Sequence, residues 1–260
     1  MADPQHIRFD LSPAGVATIT LNRPENLNAL NAAMLDEIRA AVAGLPGSGA
    51  RALLLAAEGR GFSSGADLAG GGGLPEDVGA ALEAHFNPLI EALFACPLPV
   101  VAAVNGPCAG AGCSLALAAD LVIAGRSAYF LQAFINIGLI PDAGATWLLP
   151  RLAGRARAME MMMLGERISA ERAADWGLIS RVVEDEALAA EATALAERLA
   201  SGPTMAYGLL RRLARNAEQS SLTDALAAER VAQRDAGRTR DFKTAVFAFL
   251  QKQNPKFEGQ

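Results

Sequence analysis

Histidine and cysteine are scarce in this chain: two histidines and three cysteines among 260 residues. His6 and His85 share no metal-ligand spacing with Cys96, Cys108 and Cys113, which argues against a zinc or other metal centre. An odd number of cysteines without a disulfide framework reads as small buried hydrophobes in a reducing compartment. Cys113 lies beside a glycine-rich turn where a thiol nucleophile is conceivable, but no histidine stands near it in sequence to activate it. Long apolar runs are also missing. The stretch from Val100 to Ala124 is broken by Asn105, Pro107 and Asp120, short of the roughly 18 residues a membrane span needs. The start, Met1-Ala2-Asp3-Pro4-Gln5, has neither the basic nor the apolar region of a signal peptide. A cytoplasmic protein with no membrane association is expected. Positive charge is in deficit, with 23 Lys and Arg against 28 Asp and Glu for a net −5, so no nucleic-acid partner is expected. The local cluster Arg230, Arg234, Arg238 and Arg240 reads as a solvated helix face. Internal repeats, low-complexity tracts and long linkers are absent as well. The remainder is 52% hydrophobic, a globular composition with enough chain for one large core.

Periodicity predicts an α/β core followed by helices. Val16–Leu21 and Ala52–Ala57 read as strands, Ala32–Ala43 as a helix carrying Leu35, Ile38 and Val42 on one face. Gly65-Ala66-Asp67 and the run Gly70–Gly73 read as a mobile loop, a helix is expected from Glu76 to Ala95, and strands are expected after Pro99 and over Leu121–Ala124. Strands separated by helices suggest parallel pairing with crossovers. From Arg155 the pattern becomes helical, with expected helices over Ala156–Leu164, Ser169–Trp176, Glu186–Ala200, Thr204–Asn216, Leu222–Arg234 and Arg240–Lys252. Ser169 and Ser201 look like helix starts. Met159, Met161, Met162 and Met163 read as core filler. The division expected is a core over residues 1–200 and a helical region over residues 201–260.

The segment richest in chemistry is Asn105-Gly106-Pro107-Cys108-Ala109-Gly110-Ala111-Gly112-Cys113-Ser114-Leu115, which follows the buried run Pro99–Val104. A strand that ends in glycines and leads into a helix leaves backbone N–H groups free, and glycine lets a guest approach the main chain. The guest suited to such a turn is an anion or an oxygen that becomes anionic. Gly106, Gly110 and Gly112 do not form the G-x-G-x-x-G of a dinucleotide site, and no Lys-Ser/Thr pair follows as a P-loop requires. A tight turn without a ligand is the alternative reading of this segment alone.

Joined to Gly61-Phe62-Ser63-Ser64-Gly65-Ala66-Asp67-Leu68 and Leu21-Asn22-Arg23-Pro24-Glu25-Asn26-Leu27-Asn28-Ala29-Leu30, this segment resembles the crotonase (enoyl-CoA hydratase/isomerase) family from about Val16 to Phe257. The resemblance implies a spiral of ββα units with a C-terminal helical trimerisation region, and homotrimers or hexamers. It implies an acyl-CoA thioester substrate whose enolate oxygen is held by the backbone N–H groups of Ala66 and Ala111. Losing one such donor typically costs ~3–4 kcal/mol in the transition state. By family position, Arg23, Asn26, Leu27, Ala66, Asp67 and Leu68 line the coenzyme A path, and Phe249 and Lys252 reach the nucleotide bound to a neighbouring subunit. No metal or redox cofactor is implied; coenzyme A belongs to the substrate.

Hydratases of the family use two glutamates, whose positions here hold Ser114 and Phe134. Hydration needs one group to deprotonate water and another to protonate carbon, and neither residue does this unaided. Asp142, in Gly138-Leu139-Ile140-Pro141-Asp142-Ala143-Gly144, stands where hydratases commonly have glycine. This resembles the subgroup of ring-1,2-epoxyphenylacetyl-CoA isomerases and related Δ3,Δ2-enoyl-CoA isomerases, in the first of which an aspartate here moves the proton. The 4-chlorobenzoyl-CoA dehalogenases have an aspartate here as a nucleophile, and Pro-Asp-Ala-Gly is also an N-cap signature, so other roles for Asp142 stay open. The expectation is an isomerase with Asp142 as proton shuttle in an acyl pocket of Ser114, Phe134, Ile137 and Trp147. The alternatives are a hydratase or hydrolase relative using Asp142 on water, and a non-catalytic acyl-CoA or RNA-binding member. His85 is read as a partly exposed helix residue.

Overall fold

The chain begins with an edge strand that its pattern hid. In β1 (Ile7–Leu11) only Ile7 is buried, so no apolar alternation marks it; it runs antiparallel to β2 (Val16–Leu21) with Ile7 opposite Leu21. The computed structural model describes residues 4–68, 77–217 and 219–260. Helix α1 (Ala32–Ala43) starts where Asn31 accepts the Met34 N–H at 2.8 Å, a cap worth about 1 kcal/mol. Its Met34, Leu35, Ile38 and Val42 form one buried stripe. Strand β3 (Ala52–Ala57) follows, parallel to β2. The expected Gly70–Gly73 loop, and Glu76 at the expected start of the next helix, lie outside the described residues. That helix appears as α2 (Gly79–Ala81), one π-helical turn over Leu82–Phe86, and α3 (Asn87–Ala95).

Strand β4 (Val100–Val104) is buried at every position, which accounts for its unbroken apolar run. After it come β5 (Pro107–Ala109), α4 (Ala111–Leu117), β6 (Leu121–Gly125) and β7 (Tyr129–Leu131). Then follow α5 (Ala145–Ala153), α6 (Arg155–Leu164), β8 (Ile168–Ser169), α7 (Ala170–Asp175), β9 (Arg181–Val183) and α8 (Leu188–Ala200). Three helices end the chain: α9 (Thr204–Ala217), α10 (Leu222–Ala236) and α11 (Arg240–Leu250). One sheet has the order β1-β2-β3-β4-β6-β9, parallel beyond the first pair, and a second has the order β5-β7-β8. Consecutive strands therefore go to different sheets: β4 to the large one and β5 to the small one, then β6 and β7 likewise. This is the expected spiral of ββα turns. It sets the β5–α4 turn beside the strap at Ser63, which bridges to Cys108.

Helix α8 covers the outer face of the large sheet. Its Leu188, Ala192, Ala196 and Ala200, four residues apart, pack on Val16, Ala52, Leu54, Val101, Ala103 and Ile123. Alanine at three of these positions lets helix and sheet approach closely. Helix α9 is tied to the core by Arg211, 7% exposed, which donates to Asp120 Oδ2 at 2.5 Å and to the carbonyls of Cys96 and Leu93. Asp120 Oδ2 also accepts the Val100 N–H at 2.8 Å, so the partner of the buried Arg211 is itself held by the backbone.

Two local expectations are corrected here. Ser201 closes α8 instead of opening α9: its hydroxyl donates to the Arg198 carbonyl and its N–H to that of Glu197, because the helix carbonyls ending at Ala200 need donors. The methionine row is divided across α6, with Met161 buried and Met163 63% exposed. The Arg230, Arg234, Arg238 and Arg240 cluster is solvent-exposed as expected. Among the described residues no helix is long and apolar enough to cross a membrane.

Candidate active site

Two glycines in contact organise the site. Gly65 ends the strap before Ala66, and Gly110 ends the turn before Ala111. Both have positive φ, +97° and +52°. A Cβ built on Gly65 would stand 3.0 Å from the Ala109 carbonyl oxygen and 3.5 Å from Gly110 Cα, so the two backbones touch where any side chain would part them. The N–H groups that follow, on Ala66 and Ala111, find no hydrogen-bond acceptor among the described residues. Several neighbouring groups are engaged: Leu30 N–H on Gly65 O, Asp67 N–H on Leu30 O, and Gly110 N–H on Leu131 O. Two unspent donors on adjoining turns can stabilise an oxygen that gains negative charge.

The strap owes its shape to two buried polar side chains that motif reading missed. Asn28, fully buried, accepts the Arg23 N–H at 2.8 Å and donates to the carbonyls of Glu58 and Gly61 at 2.9 Å each. The Ser63 hydroxyl donates to Asn28 O at 2.8 Å and accepts the Gly65 N–H at 3.2 Å. Nothing in their spacing announces this, since three of the five partners are backbone groups 30 to 35 residues away.

A cleft of about 480 Å³ opens over the strap, lined by Arg23, Asn26, Ala29, Ser64, Ala66, Asp67 and Leu68. Five of the residues expected along the coenzyme A path therefore share one surface. Leu27 is not in the lining; it sits at a left-handed position and its carbonyl accepts the Ser64 N–H. Arg23 and Asp67 pair at 2.9 Å, both nearly enclosed, and Arg23 also donates to Ala29 O. Asp67 thus pins the strap, and the pairing offsets the repulsion an isolated carboxylate would impose on an anionic ligand. Phe249 and Lys252 are not in the cleft lining either; they lie at the exposed end of α11, Phe249 at 80% exposure.

On the other side, Phe134 is buried, with its ring edge against Gly110. Ser114, 1% exposed, donates its hydroxyl to the backbone oxygen of Asp142 at 3.1 Å, so it tethers the Asp142 turn directly. Ile137 is 58% exposed at the end of a 3₁₀ turn, and the Trp147 ring packs edge-on to Phe94 at 5.6 Å under the Arg151 guanidinium.

Asp142 is not a helix cap. The N-cap position of α5 is Gly144, and no side chain caps that end. Ala143 (φ +48°) and Gly144 (φ +83°) are both left-handed, and Asp142 Oδ1 is buried with no hydrogen-bond partner. Burial pushes this carboxyl from its ordinary 3.8 up to about 6. A carboxylate poised there can both take and return a proton near neutral pH. The thiols are in the opposite state: Cys108 and Cys96 are pushed further up by burial, and Cys113 is enclosed in the core. His85 stands on the π-helical turn with Nδ1 3.2 Å from Asp36 Oδ2, outside hydrogen-bonding geometry.

Comparison with known proteins gives the family. Residues 12–260 match the family model for enoyl-CoA hydratase/isomerase. A "1,2-epoxyphenylacetyl-CoA isomerase" of Escherichia coli K12 is 47% identical over 251 residues, covering 95% of this chain and 96% of the relative. A "Probable enoyl-CoA hydratase" of Rhodobacter capsulatus is also 47% identical, over 98% of both chains. The solved structure of an enoyl-CoA hydratase from Bacillus anthracis superposes with a TM-score of 0.94 at 34% identity, covering 98% of this chain and all of that one. The two sequence relatives are equally similar and carry different reaction names, one an isomerase and one a hydratase. With the spiral fold and paired motifs in place, the chain belongs to the enoyl-CoA hydratase/isomerase, or crotonase, family.

Proposed function

We propose that this protein is an acyl-CoA isomerase that shifts a double bond, or rearranges a ring epoxide, through a thioester enolate. The observation that carries the reading is the Asp142 carboxyl, partly buried, with one enclosed oxygen that has no hydrogen-bond partner, and raised to about 6. It stands in a site whose two hydratase glutamate positions hold Ser114 and Phe134. For a 3-enoyl thioester, the Asp142 carboxylate takes a proton from the carbon beside the thioester. The C–H electron pair moves into the conjugated system, and the thioester oxygen becomes negative against the N–H groups of Ala66 and Ala111. The electrons then return, Asp142 delivers the proton two carbons further along, and the double bond ends next to the carbonyl. One carboxylate suffices because it is base and acid in turn. Addition of water would ask for a second such group.

Arg23, Asn26, Leu27, Ala66, Asp67 and Leu68 would carry the coenzyme A portion, which belongs to the substrate; the chemistry calls for no metal or redox cofactor. Phe242, Phe247, Phe249 and Leu250 leave α11 with an exposed apolar face, which supports assembly into a trimer or hexamer. Phe249 and Lys252 would then serve a neighbouring subunit's nucleotide.

The test is Asp142→Asn, assayed by product analysis with 3-enoyl-CoA, a ring-epoxide acyl-CoA and crotonyl-CoA. The reading expects isomerisation by the wild type, a loss of ~10²–10⁴-fold in the variant, and slow hydration in both. Hydration as the faster wild-type reaction would instead favour an aspartate acting on water.

A further inference from the structure

We infer that Ser114 is the positioning residue that holds the Asp142 carboxylate in register with the Ala111 N–H, by bonding the Asp142 backbone to α4. This rests on the reading of Asp142 as the proton shuttle.

Helix α4 is buried along all seven of its residues, Ala-Gly-Cys-Ser-Leu-Ala-Leu, and Ser114 carries its one hydroxyl. An alanine would fit the same space, so the hydroxyl's use lies in what it reaches. It spans 28 residues of sequence to the Asp142 carbonyl, which also accepts the Ala145 N–H at 3.0 Å. Immediately after that carbonyl come the two left-handed residues, Ala143 and Gly144. A left-handed alanine is disfavoured and persists only where its surroundings fix it; Ala143 is 4% exposed and adjoins the Ser114 bond. The geometry has a chemical consequence. Had the chain entered α5 in the ordinary way, Asp142 would meet free helix N–H groups, which favour a charged, weakly basic carboxylate. The reversal makes Gly144 the N-cap and denies those donors to Asp142. Burial is then the only influence on its carboxyl, with no charged neighbour contributing.

The same helix carries both halves of the proposed chemistry. Ala111, its first residue, offers the N–H for the developing oxyanion. Ser114, one turn on, fixes the group that moves the proton. A rigid seven-residue element thus sets the distance between oxygen and base, a distance for which about 1 Å of error can cost 10²-fold in rate.

The experiment compares Ser114→Ala, Ser114→Cys and Asp142→Asn with the wild type by kcat, KM and the pH dependence of kcat. In Ser114→Ala, kcat is expected to fall about 10–100-fold with KM within about two-fold. The acid limb should move below pH 6, since a loosened turn admits water and helix N–H groups to the carboxylate. Ser114→Cys, nearly the same size but a weaker donor, should fall between the two, and it carries the test alone if the alanine variant does not fold. Wild-type kcat and an unmoved acid limb in the Ser114 variants, with Asp142→Asn inactive, would overturn the positioning role and leave the isomerase reading intact. An active Asp142→Asn would remove both.

Discussion

Two left-handed turns serve the site, and they are finished in opposite ways. At Leu27–Asn28 (φ 50° and 51°) the polar side chain is saturated: Asn28 makes three hydrogen bonds, and Ser63 adds two more along the same strap. At Ala143–Gly144 the backbone is tied by Ser114 and Ala145, yet the Asp142 carboxyl keeps a buried oxygen with no partner. The difference follows from what each side offers. A backbone donor works only by pointing in a fixed direction, so its support is rigid and complete. The proton carrier proposed for Asp142 would need two protonation states close in energy, which a poorly solvated carboxylate provides.

Breaking the saturated side should cost the most. Asn28→Ala strands the Arg23 N–H and the carbonyls of Glu58 and Gly61 and puts alanine at a left-handed position; a stability loss of about 3–5 kcal/mol is expected by urea denaturation. A loss under about 1 kcal/mol would mean the strap needs no such brace. Next comes the donor itself. Ala111 is the first residue of α4, where proline is tolerated, so Ala111→Pro deletes one N–H and keeps the helix. The expected fall in kcat is ~10²–10³-fold, equivalent to about 3–4 kcal/mol, at nearly unchanged melting temperature. A variant within threefold of wild type would separate that N–H from the chemistry. The smallest effect lies on the unsaturated side and has the opposite sign. The Asp142 carboxyl titrates near 6 when folded and at 3.8 when unfolded, so the folded state binds the proton more tightly. Ionisation therefore costs stability above pH 6 and nothing below about pH 4. The cost is at most about 3 kcal/mol, and about 1–2 after the solvent screening open to a carboxyl that is not fully enclosed. Asp142→Asn should accordingly be more stable than wild type at pH 8, with the gain fading as pH falls from 6 to 4. Equal stability at pH 8 would contradict a strained carboxylate.

The same contrast separates what the chain spelled out from what it hid. Helices such as α1 and α8 were legible because their apolar residues recur every three or four positions over ten or more residues. The strands β5, β7 and β9 have three residues each, too few for alternation to register, and β1 lies on an edge where most of its side chains meet solvent. At the site, Gly110-Ala111 was legible as a glycine turn leading into a helix. Gly65-Ala66-Asp67 read by itself as a mobile loop and was tied to the site only by the family resemblance; its Gly65 and Asp67 N–H groups are bonded to Ser63 and Leu30. Asn28, Ser63 and Ser114 were not legible in the roles they play, because each side chain bonds a backbone group far along the chain. Asp142 read as a cap from its local residues and as a base from the family resemblance; the left-handed Ala143, which goes with the loss of the cap, has no signature in composition.

The account turns on Asp142 moving a proton at the carbon beside the thioester. The direct measurement is deuterium entry at that carbon from D₂O, followed by mass spectrometry for wild type and Asp142→Asn, with acyl-CoA binding measured in parallel. The account predicts exchange in the wild type and a loss of ~10²–10⁴-fold in a folded variant that still binds the thioester, because the Ala66 and Ala111 donors remain. Wild-type exchange in that variant would contradict it and leave the base elsewhere.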